Sequence, residues 1–162
     1  MPRASNKLNL VKDSTLTKGG KLLRLAMVKF APHQHIKDAI SLSRISREGT
    51  EGGSKFITVI VDTKIAPDAR AFDIGSGIHG PMGNTYTITA KNFPLLQFKG
   101  TKKFDGKIIR KFQVDHPGVE GVHYTKAAAD EVRDEIREML LKDGAQNLRL
   151  YLRSAFSEYM KK

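Results

Sequence analysis

Asp115, His116 and His123 fall within nine residues in the stretch VDHPGVEGVHYTKAAADEV. An acid with two imidazoles is the usual material of general acid–base chemistry or of a metal site. A catalytic zinc takes three protein ligands and keeps a position open, and a metal-dependent nuclease adds a shaped loop to its histidine and metal ligands. The remaining histidines do not complete such a set. His33 and His35 stand two apart beside Pro32, a spacing that on a helix points them to different sides. His79 lies in a glycine-rich stretch. Pro117-Gly118 directly after His116 favours a tight turn following an extended residue, so His116 is placed to bond backbone around that turn.

Other chemistry is equally thinly supported. The chain has no cysteine, which removes disulfides, thiolate metal sites and a cysteine nucleophile. There is no Gly-x-Ser-x-Gly elbow. GSGIHGPMG contains Gly-x-Gly, but no strong helix follows to present its N-terminus to a phosphate, and no Gly-Lys-Ser/Thr appears. Gly75, Ser76, Gly77, His79 and Gly80 therefore read as a flexible loop that a partner would order. The expectation is a protein without catalytic residues, metal or cofactor, and not an enzyme.

The densest basic cluster is Lys99, Lys102, Lys103, Lys107, Arg110 and Lys111, interleaved with Phe98, Phe104 and Phe112. On a hairpin-like pair several of these charges project from one tip. Phosphate or acidic-partner contact and a plain solvated turn both remain open for the lysines. Phe98 and Phe112 fall on apolar strand faces, so core suits them better than base stacking.

These segments must be held by an ordered scaffold. Residues 1–14 read as a flexible arm. Helical spacing runs from Thr15 to Phe30 through Leu16, Leu22, Leu23, Ala26, Met27 and Phe30, with Gly19-Gly20 weakening its first turn. After Pro32, the apolar residues Ile36, Ala39, Ile40, Leu42 and Ile45 mark a second, shorter helix. Residues 48–54 are a flexible connection. KFITVIVDTKI, NTYTITAK, PLLQF and IIRKFQV read as strands, and ARAFDIG as a short helical or extended turn.

A last helix starts near Lys126 with Thr125 as its cap, buries Ala129, Val132, Ile136, Met139 and Leu140, and stops at Gly144. The fold class is α+β: N-terminal helices, one antiparallel sheet of about four strands, and C-terminal helices packed on it. A single domain spans 15–143, with 144–162 a helical C-terminal extension. At 162 residues, one domain of this size buries about two-thirds of its unfolded surface.

Charge is one-sided. The formal net charge is +11, and residues 113–162 contribute none of the excess, carrying eight Lys/Arg against nine acids. A basic surface of this kind suits a polyanion or an acidic protein. No apolar run approaches the roughly 18 residues of a membrane span, and the N-terminus lacks the apolar core of a secretion signal. A soluble protein made in the cytoplasm, with no membrane partner, is expected.

Taken in order, several segments resemble one family: the tail-completion and head–tail joining (neck) proteins of long-tailed double-stranded DNA bacteriophages. The pieces are Ala31-Pro32 after the first helix, then DAISLS (Asp38–Ser43) and the valine-rich strand. They continue with APDARAFDIGSG (Ala66–Gly77), Leu96-Gln97-Phe98, and Val114-Asp115-His116-Pro117-Gly118 followed by Tyr124 and a helix. The likeness spans roughly residues 15–143. It departs at His33-Gln34-His35, where the family has Asp-Thr-Gly, and at Gly-Ser-Gly in place of Gly-Thr-Gly.

The resemblance implies a non-enzymatic virion structural protein, assembled in the host cytoplasm and placed at the head–tail junction. It would form a homo-oligomeric ring, contact adjacent neck, connector and tail proteins, and surround double-stranded DNA through non-specific contacts. A tail-terminator or tail-tube-associated protein, or a free sequence-blind DNA-binding protein, is the alternative. Asp115, His116, Pro117, Gly118 and Tyr124 would then form a structural corner or subunit interface.

Overall fold

The computed structural model describes residues 11–47, 55–91, 93–99 and 107–159. They form an α+β protein whose chain divides into two compact units. One runs to Pro67 and resumes at Tyr124; the other is Asp68–His123. The expected arm at 1–14 falls largely outside the described residues, as do the connection at 48–54 and the last residues, 160–162.

In the first unit, helix α1 (Asp13–Phe30) and helix α4 (Tyr124–Tyr159) run antiparallel along one another. Lys29 near the end of α1 pairs with Glu131 near the start of α4, Nζ to Oε1 2.7 Å. At the other end, Lys12 meets Asp143. Midway, a Cβ added to Gly19 would sit 3.5 Å from Ile136 and 3.6 Å from Met139. On the other side of α1 a Cβ at Gly20 would come within 2.8 Å of Leu42 and 3.1 Å of Ile57. Both glycines are buried and the packing at Gly20 leaves no room for a Cβ, so the pair is more than a weak first turn.

Helix α2 (Gln34–Ala39) is shorter than its apolar pattern suggests, because Ile40–Leu42 leaves it as strand β1. Ile40 and Leu42 alternate, and they pair antiparallel with Val61 and Val59 of β4 (Val59–Val61). Cross-strand pairing of branched side chains offsets the loss of a further helical turn. Ile36 and Ile40 are the largest fully buried side chains. The Arg24 Nε donates to the Ile40 carbonyl at 3.1 Å, fixing the bend. A second short ladder joins β2 (Ser46–Arg47) to β3 (Lys55–Phe56). The expected strand over KFITVIVDTKI is therefore two pieces, separated where Ile57 packs against Gly20 and the Thr58 N–H donates to Ser43 Oγ at 2.9 Å.

Helix α4 corrects the reading at its two ends. It begins at Tyr124, which places Thr125 inside the first turn. It also continues without a break through Gly144 to Tyr159. A glycine ends a helix when it turns the chain into left-handed backbone. Here Asp143 and Asn147 bridge the next turn, Nδ2 to Oδ1 3.3 Å, and the chain stays helical. Its buried side chains are Tyr124, Ala128, Val132 and Asp143, while Ala129, Ile136, Met139 and Leu140 are half-buried. No helix among the described residues is long and apolar enough to cross a membrane.

The second unit holds helix α3 (Ala69–Ile74), a 3-10 turn at Gly77–His79, and strands β5 (Tyr86–Thr89), β6 (Leu96–Lys99), β7 (Ile108–Lys111) and β8 (Gln113–His116). The single four-stranded sheet expected from the pattern is not formed: the described strands of the whole chain make four separate two-stranded ladders. β5 pairs with β8 and β6 with β7, both antiparallel. Because Thr89 faces Gln113 and Leu96 faces Lys111, these two ladders are one long hairpin. Opposite Phe112 alone, Ala90, Lys91 and residues 93–95 bulge out of the other strand, and the Ala90 N–H still donates to the Phe112 carbonyl at 3.2 Å.

Candidate functional site

The His-Pro-Gly stretch closes the base of the hairpin. His116 is the last residue of β8, and its Nδ1 accepts the Gly118 N–H at 2.9 Å, so a neutral ring carries its proton on Nε2. Its ring packs against Tyr86, its cross-strand partner, with centroids 5.3 Å apart. Asp115 points to the opposite face, since neighbouring strand residues alternate. There it accepts from Thr87 Oγ1 at 2.6 Å. Adjacent in sequence, the acid and the imidazole are held apart by the pleat.

The glycine loop is knitted to this corner by backbone. The Ser76 N–H donates to the Val119 carbonyl at 2.8 Å, and the Val119 N–H returns a bond to Ser76 Oγ at 3.0 Å. The Ile78 N–H donates to the Pro117 carbonyl at 2.7 Å. Gly77 (φ 62°) and Gly118 (φ 100°) have left-handed backbone, and any Cβ on either would run into the facing main chain. Further along, the Val122 and His123 N–H groups each donate at 2.8 Å to the carbonyls of Phe72 and Asp73. Asp115, His116, Pro117, Gly118, Gly75, Ser76, Gly77, His79 and Gly80 thus belong to one clasp at the root of the hairpin. Tyr124 is buried at the first residue of α4 in the other unit. His33 stays outside α2 as its N-terminal flanking residue, so its ring stacks on His35 at 5.7 Å instead of pointing elsewhere. Among the described residues no three His, Asp or Glu side chains converge to hold a metal.

The hairpin itself is two-faced. Paired residues share a face, and residues two apart repeat it. One face of the first ladder carries Tyr86, Ile88, Val114 and His116, and one face of the second carries Leu96, Phe98, Ile109 and Lys111. A groove of about 340 Å³ runs between Ile88, Leu96, Phe98, Val114 and His116, across the junction of the two ladders. The opposite faces carry Thr87, Thr89, Gln113 and Asp115 in the first ladder and Gln97, Lys99, Ile108 and Arg110 in the second.

The basic cluster is accordingly divided. Lys99 ends β6 and Lys107 precedes β7, so both mark the tip side of the hairpin. Arg110 shares one face with Lys99, and Lys111 lies on the other face beside Leu96. Lys102 and Lys103 lie outside the described residues.

No described residue between 76 and 123 is buried. The apolar face of the hairpin is open, and the bulge adds Phe93, 77% exposed, above a larger groove lined by Ile88, Ala90, Pro94, Leu95 and Leu96. Sequence alternation marked the strands one at a time but not this uncovered face, because burial depends on what stacks against a strand. Comparison with protein-family models, curated proteins and solved structures finds no match for this chain.

Proposed function

We propose that the chain is a structural subunit of a ring in the neck or tail-completion region of a bacteriophage, joining the DNA-filled head to the tail around the DNA passage. The observation that carries this reading is the hairpin, a two-stranded ribbon with an exposed apolar face and no buried residue among those described from 76 to 123. A two-stranded ribbon is marginal by itself and gains stability from a surface laid against it. A subunit whose ordered arm needs a neighbour is built for assembly. The ordered set of motifs resembling neck proteins supplies the kind of assembly.

On this reading the corner at 115–118 sets the direction in which the arm leaves the subunit. The polar face, with Lys99 and Arg110, suits weak and sequence-blind contact with DNA backbone. Electron microscopy of the purified protein and of particles carrying a tagged copy tests the proposal. Closed rings, and label at the head–tail junction, are expected. Monomers that never enter the particle would sink it.

A further inference from the structure

The open face of the hairpin has a counterpart on the same chain. Val132, Ile136, Met139 and Asp143 turn one side of α4 toward α1. The opposite side carries Asp134, Glu138, Leu141, Ala145, Leu148 and Leu152, at alternating spacings of four and three residues that keep them in one line. All six are exposed, Leu141 to 63%. Among the described residues the ion pairs on α4 use Asp130, Glu131 and Asp143, and not the two acids at the head of this line. Beyond Asp143 the helix runs past the start of α1, carrying Leu148 and Leu152 with it.

We infer that the apolar face of the hairpin of one copy docks along this line on α4 of the next copy, its basic tip toward Asp134 and Glu138. This rests on the ring reading above and names the two surfaces that would close the ring. Three observations favour a second copy as occupant. The lengths agree: residues 108–116 of the ribbon extend about 30 Å, and α4 from Asp134 to Leu152 about 27 Å. The apolar parts agree, since Leu141, Leu148 and Leu152 can face Phe98, Ile88 and Val114.

The charges also agree, and they fix the direction. On the tip half of the hairpin Lys111 shares the docking face with Leu96, Lys107 precedes the same strand, and the acidic end of the line lies at Asp134 and Glu138. Reversing the ribbon would bring the same lysines to Lys142, Arg149 and Arg153 on the distal half of α4. Each subunit offers two different surfaces, the head-to-tail arrangement that closes into a ring when the rotation permits.

The absence of cysteine gives a clean test. Chains carrying Phe98→Cys or Leu141→Cys, differently tagged, are purified, mixed and oxidised. Disulfide dimers joining the two tags are expected in the mixture, with little product from either variant alone. A chain carrying both substitutions should give a ladder of linked oligomers. An internal disulfide in a monomer, or no cross-link in assembled protein, would overturn the inference.

A second arm uses charge. Lys107→Glu with Lys111→Glu, and separately Asp134→Lys with Glu138→Lys, should each weaken self-association by about tenfold or more, and the chain carrying all four should recover it. Assembly unchanged by either pair overturns the assignment of surfaces while leaving the ring reading intact. A native chain that stays monomeric and is absent from particles removes both.

Discussion

Asp143 of α4 accepts the backbone N–H of Lys12 at 2.7 Å, and so caps helix α1 from 131 residues away. Lys12 stands at the N-cap position of α1 but makes no capping bond with its own side chain, so a first-turn donor would otherwise be left to solvent. The second Asp143 oxygen lies 3.8 Å from Lys12 Nζ and accepts from Asn147. One carboxylate therefore locks the register of the two long helices. Asp143→Ala should lower the melting temperature by several degrees, and Asp143→Asn, which keeps an acceptor, by less. Calorimetry on the three proteins decides it. Equal losses would mean that shape, not the acceptor, matters at this position.

The same carboxylate makes stability depend on acid. The Lys12 backbone N–H holds the Asp143 carboxyl below its ordinary range, outweighing the opposing effect of burial, with Thr15, Lys12 and Asn147 adding to the lowering. Asp13 is lowered too, chiefly by its hydrogen bond with Lys55, Nζ to Oδ1 2.6 Å. A carboxyl whose folded pKa is depressed contributes fully above its unfolded value, near 3.9. That contribution is lost as pH falls through the folded value. Urea midpoints of the native chain should be flat between pH 7 and 5 for these two groups and fall below about pH 4. The double variant Asp13→Asn, Asp143→Asn should start lower and show a shallower acid decline. Identical slopes would assign the acid sensitivity to other groups.

How far the sequence revealed this fold follows from which forces are local. The helices α1 and α4 were legible because a 3.6-residue period is written along the chain itself. The strands at 86–89, 96–99 and 108–116 were legible from alternation. That they make one ribbon with a bulge after Thr89 was not, because register belongs to the pair and no single strand carries it. Ile40 and Leu42 misled because an i, i+4 set from Ile36 overlaps their two-residue alternation, and only pairing with Val61 and Val59 decides between them. Gly144 misled for a related reason: whether glycine ends a helix depends on partners such as Asp143 and Asn147. Of the site, His-Pro-Gly announced its turn, but the return bond from Val119 to Ser76 Oγ left no local mark.

The glycine pair in α1 gives opposite expectations for neighbouring residues. A Cβ at Gly19 would meet Ile136 and Met139 at ordinary contact distances, so Gly19→Ala should stabilise by about 0.5–1 kcal/mol through helix propensity alone. At Gly20 the same Cβ would press on Leu42 at 2.8 Å and on Ile57 at 3.1 Å. Gly20→Ala should forfeit that gain, and Gly20→Val should cost about 1–3 kcal/mol by overpacking. Denaturant titrations of the three variants check the contrast, and a Gly20→Val chain as stable as native would refute the close packing.

At the corner, backbone conformation should matter more than any titrating side chain. Gly118→Ala places a methyl group against the Ser76 carbonyl on left-handed backbone and should cost about 2 kcal/mol or more. Ser76→Ala removes one acceptor, and His116→Phe removes the acceptor of the Gly118 N–H while keeping a ring beside Tyr86. Each should cost about 1 kcal/mol. Amide exchange in β5 and β8 reports the loss, and it should rise in the same order. Divalent-metal-stimulated DNA cleavage that His116→Ala abolished would instead make this corner a catalytic centre.

The basic tip separates DNA contact from protein contact. If Lys99, Lys102, Lys103 and Lys107 touch duplex phosphates, each releases counterions, and the plot of log affinity against log salt gains a slope of about 0.9 per contact. Replacing all four by glutamine should then flatten the slope by as much as four contacts' worth, with equal loss on unrelated sequences. The measurement is made on assembled protein over a salt series. A slope left unchanged, together with weakened self-association, would assign these lysines to the acidic end of a neighbouring α4 and leave DNA to other parts of the ring.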